Sequence, residues 1–250
     1  MDLCGERKLL ERLIVGCYIM GYDAVTIFSH GKIRGEWLSA IRKAAFRLAG
    51  LNIIDEKPNA VTLQCAIDPS SIPLLTMIRR LFALTLTMYS EVLEALSTLN
   101  PNPAREVINR EYEADMLYWL ILRIIIVAHR NPKIAEKIGV QEHRHLIGYR
   151  VIIKYLEAVA DHLEEVARHL LTLIKLKAKP GKPTVKRLHL IGEKSLEIFS
   201  NAFESLITNS LRKAHKTVEE KEAFESEEEK SSVKSSGKPE SLKWQFTWES

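Results

Sequence analysis

The stretch YRVIIKYLEAVADHLEEVARHL, residues 149–170, constrains this chain more than any other. Ile152, Leu156, Val159, Leu163, Val166 and Leu170 recur at steps of four and three, the spacing that lines side chains along one face of an α-helix. A helix of that length has to bury its stripe against other helices. Beside the stripe stand two carboxylates one turn apart, Glu157 and Asp161. Like charges at i and i+4 disfavour an isolated helix by about 0.2–0.5 kcal/mol, so basic neighbours or a cation must hold them there. A second pair with the same E-x-x-x-D spacing, Glu111 and Asp115, lies upstream in NREYEADMLYWLILR. Two long helices joined by a short connection pack as antiparallel neighbours, which lets their carboxylates face one another.

Turn signals divide the remainder. Residues 7–20 read as a helix ending at Gly21, 24–28 as a strand closed by His30-Gly31-Lys32, and 36–48 as a second helix stopped by Gly50. Residues 52–55 and 60–65 read as strands paired across Lys57-Pro58-Asn59. These make a small α/β subdomain over 1–70, expected to serve packing or dimerisation. A boundary follows at Asp68-Pro69-Ser70-Ser71, with Ser71 as N-cap and Pro73 early in a helix that runs to 99. Its face carries Leu74, Ile78, Leu81, Thr85, Met88, Val92 and Leu96. Asn100-Pro101-Asn102-Pro103 reads as a turn, 104–129 as the next helix, 134–137 as a short piece, and 142–177 as the helix of the opening stretch. Three long helices with short connections give an antiparallel three-helix bundle over 71–178. After Lys179-Pro180-Gly181-Lys182-Pro183 a fourth helix is expected over 185–214, a partial repeat assigned to 184–218. From 219 to 250 the charged, serine-rich composition predicts disorder, with Trp244 and Trp248 near its end.

EYEADMLYWLILR at 111–123 and YRVIIKYLEAVADHLEEVAR at 149–168 together resemble the PhoU family of phosphate-uptake regulators. The likeness is closest over Leu156-Glu157-Ala158-Val159-Ala160-Asp161-His162, although the family usually has arginine where Ala158 stands. ERLIVGCYIMGYDAVTI and GLNIIDEKPNAVTLQCAIDP resemble the linker of archaeal PhoU-like proteins that carry an AbrB-type DNA-binding module. The module itself is not expected here, because the sequence opens at the linker. The resemblance implies a mainly α fold, a PhoU-like bundle with a truncated second repeat. It implies negative regulation of phosphate uptake through contact with a phosphate ABC transporter at its cytoplasmic face, or with a signalling partner such as a sensor kinase. It also implies metal, divalent cations or iron, at the E-x-x-x-D carboxylates: Glu111, Asp115, Glu157 and Asp161.

The residues leave a second reading of those carboxylates open, a polar layer of salt bridges to Arg150, Lys154 and Arg168. Oxygen donors on facing helices suit hard or borderline cations, but a di-iron bundle needs two Glu-x-x-His motifs and the sequence has a single such run, Glu142 to His145. His143 and His145, two residues apart, point to different sides of a helix; His162 adjoins Asp161, and solvated or packed histidine is the simpler reading for all three. No nucleophile elbow, P-loop, zinc-protease motif or glycine-rich phosphate loop occurs, so a regulator is expected rather than an enzyme. A net charge of +4 does not call for nucleic acid. Three cysteines, Cys4, Cys17 and Cys65, form no C-x-x-C pair and read as reduced, which predicts a cytoplasmic protein. The apolar run 116–128 is broken by Arg123 and too short to span a bilayer. A homo-oligomer, most simply a dimer, is expected, since a partial second bundle leaves an apolar helix face to cover. The rival functions are a metal-storing or metal-sensing bundle without a link to phosphate, and a transcriptional regulator.

Overall fold

The computed structural model describes residues 7–178 and 180–236. Two compact units result, Met1–His189 and Leu190–Ser250. The first begins with α1 (Arg7–Ile19), β1 (Ala24–Phe28), α2 (Gly35–Phe46), β2 (Leu51–Lys57) and β3 (Ala60–Cys65). The strands form one antiparallel sheet in the order β1-β3-β2. Alternation sends Val61, Leu63 and Cys65 of β3 inward, where they join Leu10, Ile14 and Tyr18 of α1 and Ile41, Ala44 and Ala45 of α2 in one buried core. Gly21 ends α1 with φ 84°, a left-handed conformation that glycine adopts without cost.

The bundle consists of α3 (Leu74–Thr98), α4 (Pro101–Arg130) and α6 (Arg144–Lys175), with the short α5 (Pro132–Lys137) between the last two. All three long helices pack on one another. Asn100 caps α4, its side chain accepting from the Asn102 N–H at 3.0 Å, so the expected turn at 100–103 is already the first helical turn. Prolines fit there because those N–H groups have no partner within the helix. Ser71 does not cap α3: its hydroxyl donates to the Asp68 carbonyl at 2.7 Å, and Pro73 takes the cap position. The Asp68 carboxylate accepts from the Ser70 N–H at 2.8 Å, so Asp68 organises this turn and the serines serve as its donors.

On α6 the buried stripe is Ile153, Leu156, Ala160, Leu163, Ala167 and Leu170. The expected stripe shared only Leu156, Leu163 and Leu170; Val166 is 43% exposed. The helix is rolled so that the small Ala160 and Ala167 face inward. Around Leu117–Ile125, α4 is buried on nearly every side. α3 and α6 cover one flank, while α1 and Trp119 belong to the N-terminal core on the other. That double cover explains an apolar run dense enough to raise the question of a membrane. Among the described residues no helix is long and apolar enough to cross one.

Beyond the bundle come α7 (Lys182–Ile207) and α8 (Leu211–Ser236). The single helix expected over 185–214 is therefore two. Asn209 turns left-handed at φ 49°, and the Ser210 hydroxyl accepts from the Lys213 N–H at 3.3 Å, which stops one helix and caps the next. α8 continues through residues 219–236, where composition predicted disorder. Lysine–glutamate pairs one turn apart, Lys216–Glu220 and Lys221–Glu225, support a helix that buries little. Trp244 and Trp248 lie outside the described residues.

Candidate acidic site between α4 and α6

Glu111 and Asp115 project one turn apart from α4, and Asp161 meets them from α6. One carboxylate oxygen of each lies within 4.8 Å of the others. The antiparallel packing anticipated from the paired E-x-x-x-D motifs thus unites three of the four expected residues. Glu157 stays outside this group. It is buried, and its carboxylate takes the Lys154 ammonium as partner. The salt bridge expected from Lys154 is therefore present at that position.

Two residues that the motif search missed complete the surroundings. Arg47, just past α2, donates to Asp115 Oδ2 at 2.7 Å. Glu164, one turn beyond Asp161, faces Glu111 closely enough to repel it and is itself held by Arg168 Nε at 2.8 Å. Glu164 was visible as i+3 from Asp161. Arg47 lies 68 positions before its partner, and no local pattern links the two. The Tyr112 hydroxyl donates to the Phe46 carbonyl at 2.9 Å, so the N-terminal layer closes one side of the site.

Electrostatically the site carries excess negative charge. Burial, then the carboxylates of Asp115, Glu164 and Asp161, pushes the Glu111 carboxyl up to about 7, with only Arg47 opposing. Asp161 is likewise raised, by burial first and then by Glu157 and Asp115. A group of this kind can take up a proton or hold a hard cation by its oxygens. The other candidates stand apart. The rings of His143 and His129 are 6.4 Å apart, and His162 is exposed beside Glu165. Cys65 is buried and Cys17 half-buried, both as free thiols; Cys4 lies outside the described residues.

Residues 78–170 match the family model of the PhoU domain, an interval that begins within α3 and ends within α6. No curated protein matches the chain, and no solved structure does.

Proposed function

We propose, from the match of residues 78–170 to the PhoU domain, that this chain is a PhoU-like protein that regulates phosphate homeostasis by restraining phosphate uptake. The observation that carries the reading is the coincidence of the family match with the α3–α4–α6 bundle. The family is regulatory, so the bundle would act through protein contacts rather than by catalysis. The partners proposed are the cytoplasmic components of a phosphate ABC transporter, or a signalling protein that reads transporter state. Uptake of labelled phosphate by cells lacking the gene, grown in ample phosphate, tests this. Unrestrained uptake that the intact gene corrects is the expected result. Normal uptake, in a background without a second copy, would remove the support.

A metal fits the acidic site in part. Glu111, Asp115 and Asp161 would supply three oxygen ligands to one hard divalent cation, leaving further positions for water. The cation would offset the burial, and the repulsion from neighbouring carboxylates, that together raise the Glu111 carboxyl. Glu157 would not be a ligand, because Lys154 already neutralises it. A ligand that binds only the folded state at a hundred times its Kd stabilises it by about 2.7 kcal/mol. A divalent cation is therefore expected to raise the melting temperature at pH 7.5, and to do so less at pH 5.5, where Glu111 keeps its proton. Metal content that is unchanged in an Asp115→Ala, Asp161→Ala double variant would remove these ligands from consideration. Stoichiometric metal without any phosphate phenotype would favour the rival reading, a metal-binding bundle unconnected with phosphate.

A further inference from the structure

The two edges of the N-terminal sheet differ in kind. At one edge β2 carries Asp55, Glu56 and Lys57 and is broken by a register shift between Ile53 and Asp55. Charges and bulges are how proteins prevent an edge strand from pairing with another chain. The opposite edge, β1, reads Ala-Val-Thr-Ile-Phe: no charge, no proline and an unbroken register along β3 from Ala24 to Phe28.

The hydrogen-bond phase of β1 can be read from its two ends. The Cys65 N–H donates to the Asp23 carbonyl, and the Ser29 N–H donates to the Asn59 carbonyl, both at 2.8 Å. Hydrogen-bonded pairs recur at every second residue of an antiparallel ladder. Asp23, Val25, Ile27 and Ser29 therefore turn their backbone groups toward β3. Ala24, Thr26 and Phe28 turn theirs outward. Among the described residues none of these outward groups has a backbone partner. The same three residues place their side chains on the exposed face of the sheet, and Phe28 is 74% exposed.

We propose that β1 is a homodimer seam, pairing antiparallel with β1 of a second copy about a two-fold axis at Thr26. In that register Thr26 lies opposite Thr26 of the partner subunit, and Phe28 opposite Ala24 of the partner subunit. The sequence is self-complementary in this arrangement. The large ring covers the smallest side chain of the strand, twice by symmetry. The Thr26–Thr62 hydroxyl contact, 3.1 Å within one sheet, extends into a threonine row across the seam. No charged side chain meets its own copy, since Asp23 falls opposite Ser29 of the partner subunit. Ala24, Thr26 and Phe28 each bring an outward N–H and C=O, so the seam forms up to about six main-chain hydrogen bonds and joins the two sheets into one. The uncharged, size-matched strand favours a second copy over an unrelated extended peptide, for which the edge offers neither charge nor a side-chain pocket. This inference does not rest on the phosphate reading.

Sedimentation velocity on the full chain, over a range of concentration, tests the seam. Thr26→Pro deletes both bonds of the central pair while sparing the β1–β3 ladder, because that N–H points outward. It is expected to weaken self-association at least about tenfold. Thr26→Lys and Thr26→Glu, each alone, set like charges opposite one another and are expected to sediment as monomers. An equimolar mixture of the two is expected to recover the dimer, a result that loss of folding could not produce. In the wild type, the Ala24, Thr26 and Phe28 amides should exchange slowly and lose that protection on dilution. A wild-type chain that stays monomeric overturns the proposal. So does a dimer that persists in the folded Lys and Glu variants, or one in which those three amides exchange freely.

Discussion

At the scale of single residues, Glu111 is the most revealing group. A carboxyl raised from 4.5 to about 7 holds its proton longer in the folded chain than in the unfolded one. Below about pH 4.5 both states are protonated and the site costs nothing. Between pH 4.5 and 7 the unfolded chain ionises first, so the folded state loses stability progressively, and the full cost remains above pH 7. Glu111→Gln removes that cost. In the presence of a chelator, Glu111→Gln is expected to stabilise the protein at pH 8 by on the order of 1 kcal/mol, after solvent screening of a half-exposed group. At pH 4.5 no difference is expected. Thermal melts of both proteins at the two pH values check the sign, and a variant less stable at pH 8 would mean that Glu111 is compensated by something other than Arg47. The candidate residues on the two helices were legible in the sequence because E-x-x-x-D is a local pattern. Their separation into a cluster of three and a neutralised Glu157 was not, because it depends on which lysine or arginine reaches each carboxylate.

At the scale of elements, most helices and strands follow from periodicity and turn chemistry, and the misreadings have specific causes. The alternation of β1 and β3 places both strands at 24–28 and 60–65 as expected. The stripe of α6 was displaced because Ala160 and Ala167 contribute little hydrophobicity yet are fully buried, while the larger Val159 is only partly buried and Val166 is exposed. The break between α7 and α8 lacks glycine and proline, and only Asn209 with the Ser210 cap marks it. Gly21 shows how a turn residue also serves packing. A Cβ built there would meet Val127 Cγ2 of α4 at 2.5 Å, in a backbone conformation that already disfavours L-residues. Gly21→Ala is expected to cost about 1–3 kcal/mol. Urea unfolding measures it, and a cost below about 0.5 kcal/mol would show that α1 and α4 can separate slightly without penalty.

At the scale of the whole first unit, a fully buried arginine helps fasten the N-terminal layer to the bundle. Arg123 of α4 is fully buried, and its guanidinium donates to the carbonyls of Tyr18 and Tyr22 at 2.7 and 3.0 Å and to Asp23 Oδ1 at 3.2 Å. It also lies over the Tyr18 ring at 5.1 Å from the centroid. Its Nε has no partner, a cost that the remaining contacts offset. At the helix end Arg130 adds a bond to the Met20 carbonyl at 2.7 Å. Arg123→Met fills the space but strands buried carbonyls, and is expected to destabilise by about 3 kcal/mol. Protease should then cut the N-terminal layer before the bundle. Equal susceptibility of the two parts would indicate that they unfold together.

The sequence by itself determined the helices, the antiparallel bundle, the N-terminal strands and the pairing of two acidic motifs. All of these rest on repeats and spacings of a few residues, where backbone geometry alone decides which side chains share a face. The tertiary structure decided which carboxylates meet, that Arg47 and Arg123 bind the N-terminal layer to α4, and which sheet edge is left open. Those outcomes depend on contacts across as many as 110 positions, as between Met20 and Arg130. No local period encodes such a contact. It exists only once burial has brought the surfaces together and each buried charge has found a partner within hydrogen-bonding distance.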